Sequence, residues 1–94
     1  MASMFLRLRV ADYAKWKPVF DERERARREQ GFTGHSLHHA AGDANDIIIA
    51  FRVNDLYRAK QFANSEDLRT TMQRAGVEGP PGFWFAEDIE DKSY

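Results

Sequence analysis

The sequence predicts an α+β fold in which strand, helix, strand, strand, helix and strand follow one another, the ferredoxin-like βαββαβ plan with a four-stranded antiparallel sheet. Three observations carry that expectation. Apolar residues alternate along residues 4–10 and crowd residues 47–53. Aromatic and aliphatic residues recur at helical spacing after Asp12 and again after Asp55. Glycine-rich turn chemistry separates these segments. A chain of 94 residues holds one core, so the expected organisation is a single domain over residues 1–94 with an ordered part of about 4–90.

Met4, Leu6, Leu8 and Val10 fall on one face of the first strand, with Phe5, Arg7 and Arg9 on the other. Asp12 supplies an N-cap, and Tyr13, Trp16 and Phe20 then define the apolar stripe of a helix that ends near Gly31. Pro18 inside this helix predicts a kink or a short opening turn, because it removes a donor and crowds the preceding turn. Residues 33–40 read as a strand diluted by Gly34 and three histidines, joined through a turn at residues 42–46 to a second arm at 47–53. That arm is apolar at every position but Arg52, as for a central strand buried on both faces. Asn54 or Asp55 caps a helix with Leu56, Ala59, Phe62 and Ala63 inward. Asn64 or Ser65 caps a second piece carrying Leu68, Met72 and Ala75, which stops at Gly76. Residues 79–82, Gly-Pro-Pro-Gly, predict a loop before a last strand that starts at Phe83 and reaches about Glu90.

Right-handed crossovers put both helices on one face of such a sheet. The other face carries Phe5, Ile48 and Trp84, with Ala50 and Ala86 between them. Together they form a larger apolar patch than a monomer usually exposes. The expected cover is the same face of a second copy, with Phe5, Ile48 and Trp84 in the interface of a homodimer. A monomer with scattered surface aromatics is the alternative.

Composition bounds the chemistry. Zero cysteines exclude thiol catalysis and cysteine-ligated metals. A net charge of −1 gives no general attraction to nucleic acid or anionic lipid. No apolar run is long enough for a membrane span, and residues 1–10 lack a signal-peptide layout, so a cytoplasmic protein is expected. There is no dinucleotide fingerprint or phosphate loop. Neither a redox cofactor nor a structural metal is therefore expected.

His35, His38 and His39 are the candidate acid–base groups. On a strand His35 and His39 share a face about 13 Å apart, too far for one ion, while His38 points the other way. Should the protein be an enzyme, His35 or His39 is the expected proton-transfer residue. Tyr13, Trp16, Phe20, Tyr57, Phe62 and Met72 could line a cavity between helices and sheet, or simply fill it. Arg23 and Arg27 continue the Trp16–Phe20 stripe, either to grip an anion or to lay their stems along apolar surface.

The run Asp12-Tyr13-Ala14-Lys15-Trp16-Lys17-Pro18-Val19-Phe20-Asp21-Glu22 resembles small bacterial proteins of the dimeric α+β barrel superfamily. So does Phe62-Ala63-Asn64-Ser65-Glu66-Asp67-Leu68-Arg69, with Met72 and Ala75-Gly76-Val77. The resemblance covers roughly residues 4–90 and implies a sheet-paired dimer. Many such proteins are similar to the antibiotic biosynthesis monooxygenases, which oxidise aromatic polyketides without metal or flavin. Those enzymes use an asparagine on the first strand and a tryptophan with a tyrosine or histidine from the helical side. Here the first strand has no asparagine and residues 55–75 have neither tryptophan nor histidine, so no catalytic residue carries over. The functional expectation is a dimeric protein that binds a small apolar or aromatic molecule between helices and sheet. The alternatives are a cofactor-independent monooxygenase or cyclase-like enzyme acting on an aromatic or polyketide-like substrate, and a structural or interaction module with a closed core.

Overall fold

Alternation in the first strand decides which face of the sheet is dry. In the computed structural model, which describes residues Met1–Tyr94, β1 (Ala2–Val10) buries Met4, Leu6, Leu8 and Val10 and exposes Phe5, Arg7 and Arg9. β3 (Asp43–Val53) repeats the pattern with Ile47, Ile49, Phe51 and Val53 buried. Its other face differs from expectation: Ile48 and Ala50 are only half-buried, because no element of this chain lies over them. The four strands pair antiparallel in the order β2-β3-β1-β4, with β2 (Phe32–Ala40) and β4 (Val77–Glu87) at the edges. This is the ferredoxin-like arrangement that the element order predicts. Leu6 stands between Ile49 and Phe83 on the covered face, and Phe5 between Ala50 and Trp84 on the open one.

Four helices cover the dry face. Asp12 caps α1 (Tyr13–Glu22) by accepting from the Ala14 N–H at 2.9 Å. The helix continues through Pro18 and breaks at Arg23 (φ −93°, ψ 9°) before α2 (Glu24–Glu29), five residues later than expected. Pro18 and Ala14 both lie on the exposed side of α1, so the carbonyl that the missing N–H leaves free faces water. Asp55 caps α3 (Leu56–Ala63) by accepting from the N–H groups of Tyr57 and Arg58. Ser65 caps α4 (Glu66–Arg74), whose first turn carries Glu66 and Asp67, matching the sign of the helix dipole. Gly76, at φ 83°, turns the chain into β4.

Two expected connections belong to strands instead. Ala40 pairs with Asp43, so the hairpin turn is Ala41-Gly42 with Gly42 at φ 85°, and residues 43–46 lie in β3. Their carboxylates explain the extension. Asp43 accepts from Arg9 at 2.7 Å, and Asp46 takes a bidentate pair from Arg7 at 3.0 and 2.6 Å. The predicted loop at 79–82 is likewise part of β4, an edge strand that tolerates prolines. Arg7 stands opposite Gly82 but Arg9 opposite Glu78, so the intervening Gly79-Pro80-Pro81 segment bulges from the ladder. The strand ends at Glu87 rather than near Glu90; Asp88 then accepts from the Ser3 hydroxyl at 2.6 Å and donates its N–H to the Met1 carbonyl. No helix is long and apolar enough to cross a membrane.

Candidate ligand site between helices and sheet

A cavity of about 50 Å³ lies between the sheet and its helices. Its floor is Met4, Leu6 and Leu8 of β1 with Ile49 and Phe51 of β3, the alternating residues that the strand pattern turns inward. Trp16, Val19 and Phe20 of α1 make one wall, and Phe62 of α3 with Leu68, Thr71 and Met72 of α4 the other. Helical spacing puts each set on one stripe. Trp16 and Phe20 stack at 4.9 Å between centroids, and Phe62 meets Phe32 edge-on at 5.2 Å. Twelve of the fifteen lining residues are hydrophobic. Arg23, Arg27 and Thr71 are the polar ones, and the Thr71 hydroxyl already donates to the Asp67 carbonyl.

The break between α1 and α2 positions both arginines. Ending α1 early leaves the Phe20 carbonyl without its helical partner. It accepts instead from the Arg23 N–H at 3.2 Å and from Nη1 of Arg27 at 2.7 Å. Arg27 is only 6% exposed, and its guanidinium carbon lies 3.9 Å from the Phe20 ring centroid. Burial pulls its pKa below the ordinary arginine value, against the opposing pull of Glu24 and Asp21. No carboxylate pairs with it, whereas Arg23 pairs with Asp67 of α4 and Arg74 of α4 lies 3.6 Å from Glu22. These last two pairs tie α4 to the end of α1 beside the cavity.

Of the six aromatic and methionine residues singled out in the sequence, Trp16, Phe20, Phe62 and Met72 line this space. Tyr13 and Tyr57 do not. Tyr13 packs at the margin of the core, its N–H donating to Asn45 at 3.2 Å, and borders a shallow depression with Leu37, His38 and His39. Tyr57 is 70% exposed, one step round the helix from the inward Leu56. Sequence reasoning passed over Leu68 and Thr71 as cavity residues, although Leu68, Thr71, Met72 and Ala75 follow the i, i+3, i+4, i+7 spacing that marks one helix face.

None of the three histidines reaches the cavity lining. His35 does face the helices, edge-on to Phe20 at 5.1 Å, in a separate polar depression with Arg27, Glu24 and Arg28. Burial lowers its pKa most, and the charges of Arg27 and Lys17 lower it further. His39 is exposed and held by Nδ1 at 2.9 Å from the Ala40 carbonyl; His38, on the opposite face as expected, lies 3.1 Å from the Ser36 hydroxyl. No three histidine or acidic side chains come together as a metal-binding group.

The open face of the sheet presents Phe5 at 39% and Trp84 at 56% exposure beside half-buried Ile48. Glycines keep it low. A Cβ at Gly82 would come within 2.8 Å of the Trp84 ring, and one at Gly34 would run into the Arg52 guanidinium, so both long side chains lie down over bare backbone. The ion pairs of Arg7 with Asp46 and Arg9 with Asp43 border this surface at one end.

No protein-family model matches the sequence, nor does any curated protein. Solved structures share the fold over almost the whole chain. A candidate antibiotic biosynthesis monooxygenase from Bordetella bronchiseptica has a TM-score of 0.77 at 12% identity, over 95% of this chain and 97% of that one. One from Deinococcus radiodurans gives 0.73 at 11% identity, over 100% and 98%. SnoaB, a cofactor-independent oxygenase from Streptomyces nogalater, gives 0.69 at 17% identity, with 97% of each chain covered. The resemblance read from the sequence is matched by these folds, and at such identities the likeness speaks to the fold alone.

Proposed function

We propose that the protein binds a small apolar or aromatic molecule in the helix–sheet cavity, and does so as a homodimer joined through the open sheet faces. The cavity lining carries this reading: an apolar enclosure walled by Trp16, Phe20 and Phe62, with Arg23, Arg27 and Thr71 the polar groups in its lining. An oxygenase or cyclase-like enzyme on this fold, the alternative that the SnoaB likeness raises, needs a proton-transfer group beside its substrate. Histidine and carboxylate side chains are absent from this lining, so binding is the better account.

Size sets a condition. A space of about 50 Å³ holds a few water-sized groups, well short of the ~300 Å³ at which pockets begin to enclose whole ligands. An aromatic ring therefore enters by moving a wall. α4 is the wall that yields, because no residue within it is fully buried and its ties to α1 are solvent-exposed ion pairs, each worth about 0–1 kcal/mol. Titrating the protein with indole and following backbone amide resonances should shift Trp16, Phe62, Met72 and the amides of α4. If those amides stay fixed at millimolar indole, the core is closed and the interaction-module reading replaces this one.

A further inference from the structure

We propose that the ligand of the helix–sheet cavity carries an anionic group, a carboxylate being the fitting chemistry, and that Arg27 is the residue that receives it. This deepens the binding reading above and rests on it. Arg27 is a charged side chain taken almost wholly out of water, at 6% exposure, and no acidic side chain pairs with it. Burying a charge without a counter-charge is expensive, so natural proteins pair buried ions or use them. The other guanidiniums of residues 23–28, and Arg74 of α4 beside them, each have an acid partner, while Arg58, which donates only to the Glu29 carbonyl, is exposed to water. Arg23 is bound to Asp67, Arg28 to Glu24 at 3.1 Å, Arg25 to Glu29 at 3.6 Å and Arg74 to Glu22 at 3.6 Å.

What Arg27 does have fixes its orientation without neutralising it. One of its five N–H donors goes to the Phe20 carbonyl, and the Phe20 ring lies against its flat face. Both contacts hold the guanidinium plane still and leave donors of the fork over, which is the geometry that meets a carboxylate in a bidentate pair. The same side chain lines the apolar cavity and the neighbouring polar depression that contains His35. A molecule with an apolar body and a single carboxylate thus finds its two halves matched, the body against Trp16 and Phe62 and the anion at Arg27.

The test uses the full chain with three probes of one shape class: phenylacetate, its neutral isostere phenylacetamide, and toluene, each titrated calorimetrically and by amide shifts. Phenylacetate should bind at least about tenfold more tightly than phenylacetamide, the usual worth of a hydrogen bond to a charged group. Arg27→Met keeps the length and apolar stem of the side chain; there the preference should vanish while toluene still binds. Arg27→Lys, a second variant for the case that the methionine substitution perturbs folding, should keep part of the preference through charge alone. Equal affinity for acid and amide in the wild type, or a preference that survives in Arg27→Met, overturns the carboxylate inference and leaves the binding reading standing. Failure of all three probes overturns both.

Discussion

The two faces of the sheet are built from the same strands, residue by alternate residue, and end in opposite states. On the covered face Met4, Leu6, Ile47, Ile49 and Val53 are sealed by helices of the same chain. On the open face Phe5, Ile48 and Trp84 take the intervening positions and meet water. A one-residue step along β3, from Ile49 to Ile48, crosses from one condition to the other. The covered face has its partner in the chain, whereas the open face carries an apolar patch of Phe5, Ile48 and Trp84, flattened over Gly34 and Gly82. Arg52 lies along it, and the Arg7–Asp46 and Arg9–Asp43 pairs stand at one border. That combination suits another sheet better than it suits solvent, which is the ground for assigning it to a second copy.

Ile49→Ala against Ile48→Ala is the most direct way to break the comparison. Emptying position 49 leaves a cavity in the sealed core and should cost about 2–5 kcal/mol in chemical unfolding. Emptying position 48 should cost under ~1 kcal/mol at submicromolar protein, where the face is open. At higher concentration the Ile48→Ala cost should grow, since association stabilises only the folded chain. A concentration-independent cost at position 48 would mean that the open face stays open.

Trp84→Glu sharpens the same contrast from the interface side. Wild-type protein at micromolar concentration should sediment at twice 10.9 kDa. A carboxylate at position 84 would be buried unpaired between the two sheets and should weaken association by at least about 30-fold, as loss of a central anchor does. Secondary structure by circular dichroism should be unchanged, because Trp84 contributes nothing to the covered core. A wild-type species at 10.9 kDa would remove the homodimer from the proposal.

The covered face was legible in the sequence because both of its periodicities are strong. Met4 to Val10 alternate cleanly, and Asp12, Asp55 and Ser65 sit where helix starts need acceptors. The strand boundaries at 43 and 77 were not legible, since Asp43, Asn45, Asp46, Pro80 and Pro81 are turn formers by local preference. Cross-sheet pairing with Arg7 and Arg9, and the freedom of an edge strand, override that preference here. The candidate site was half legible. Helical spacing pointed to Trp16, Phe20, Phe62 and Met72, and extended to Arg23 and Arg27. Tyr57 was misplaced because aromatic character says nothing about which side of a capped helix it faces. The break at Arg23, which frees the Phe20 carbonyl for Arg27, has no sequence signal of its own: the charged run from Asp21 to Glu29 reads as one continuous helix.

Acid separates the two faces by window, with the smallest expected effect of the three. His35 lies on the covered side, where burial, Arg27 and Lys17 hold its pKa below the ordinary 6.5 and Asp21 and Glu24 only partly offset them. The unfolded chain therefore takes up a proton near pH 6.5 that the folded chain refuses. Stability is greatest above about 6.5, falls as the pH drops from there towards the folded pKa, and then levels off. On the open side Arg7 and Arg9 hold the carboxyls of Asp46 and Asp43 below 3.8, chiefly through their hydrogen bonds. Their contribution is present above that value and is lost only as the pH falls through the depressed folded pKa. Denaturant midpoints measured between pH 8 and 3 should thus show a shallow step below 6.5 and a separate loss below 4. His35→Gln should erase the first step and leave the second, whereas Arg7→Met should leave the first and shrink the second to the part that Arg9 and Asp43 supply. If His35→Gln leaves the upper step intact, His35 is not desolvated on the covered side, and the polar depression beside Arg27 is open to water in solution.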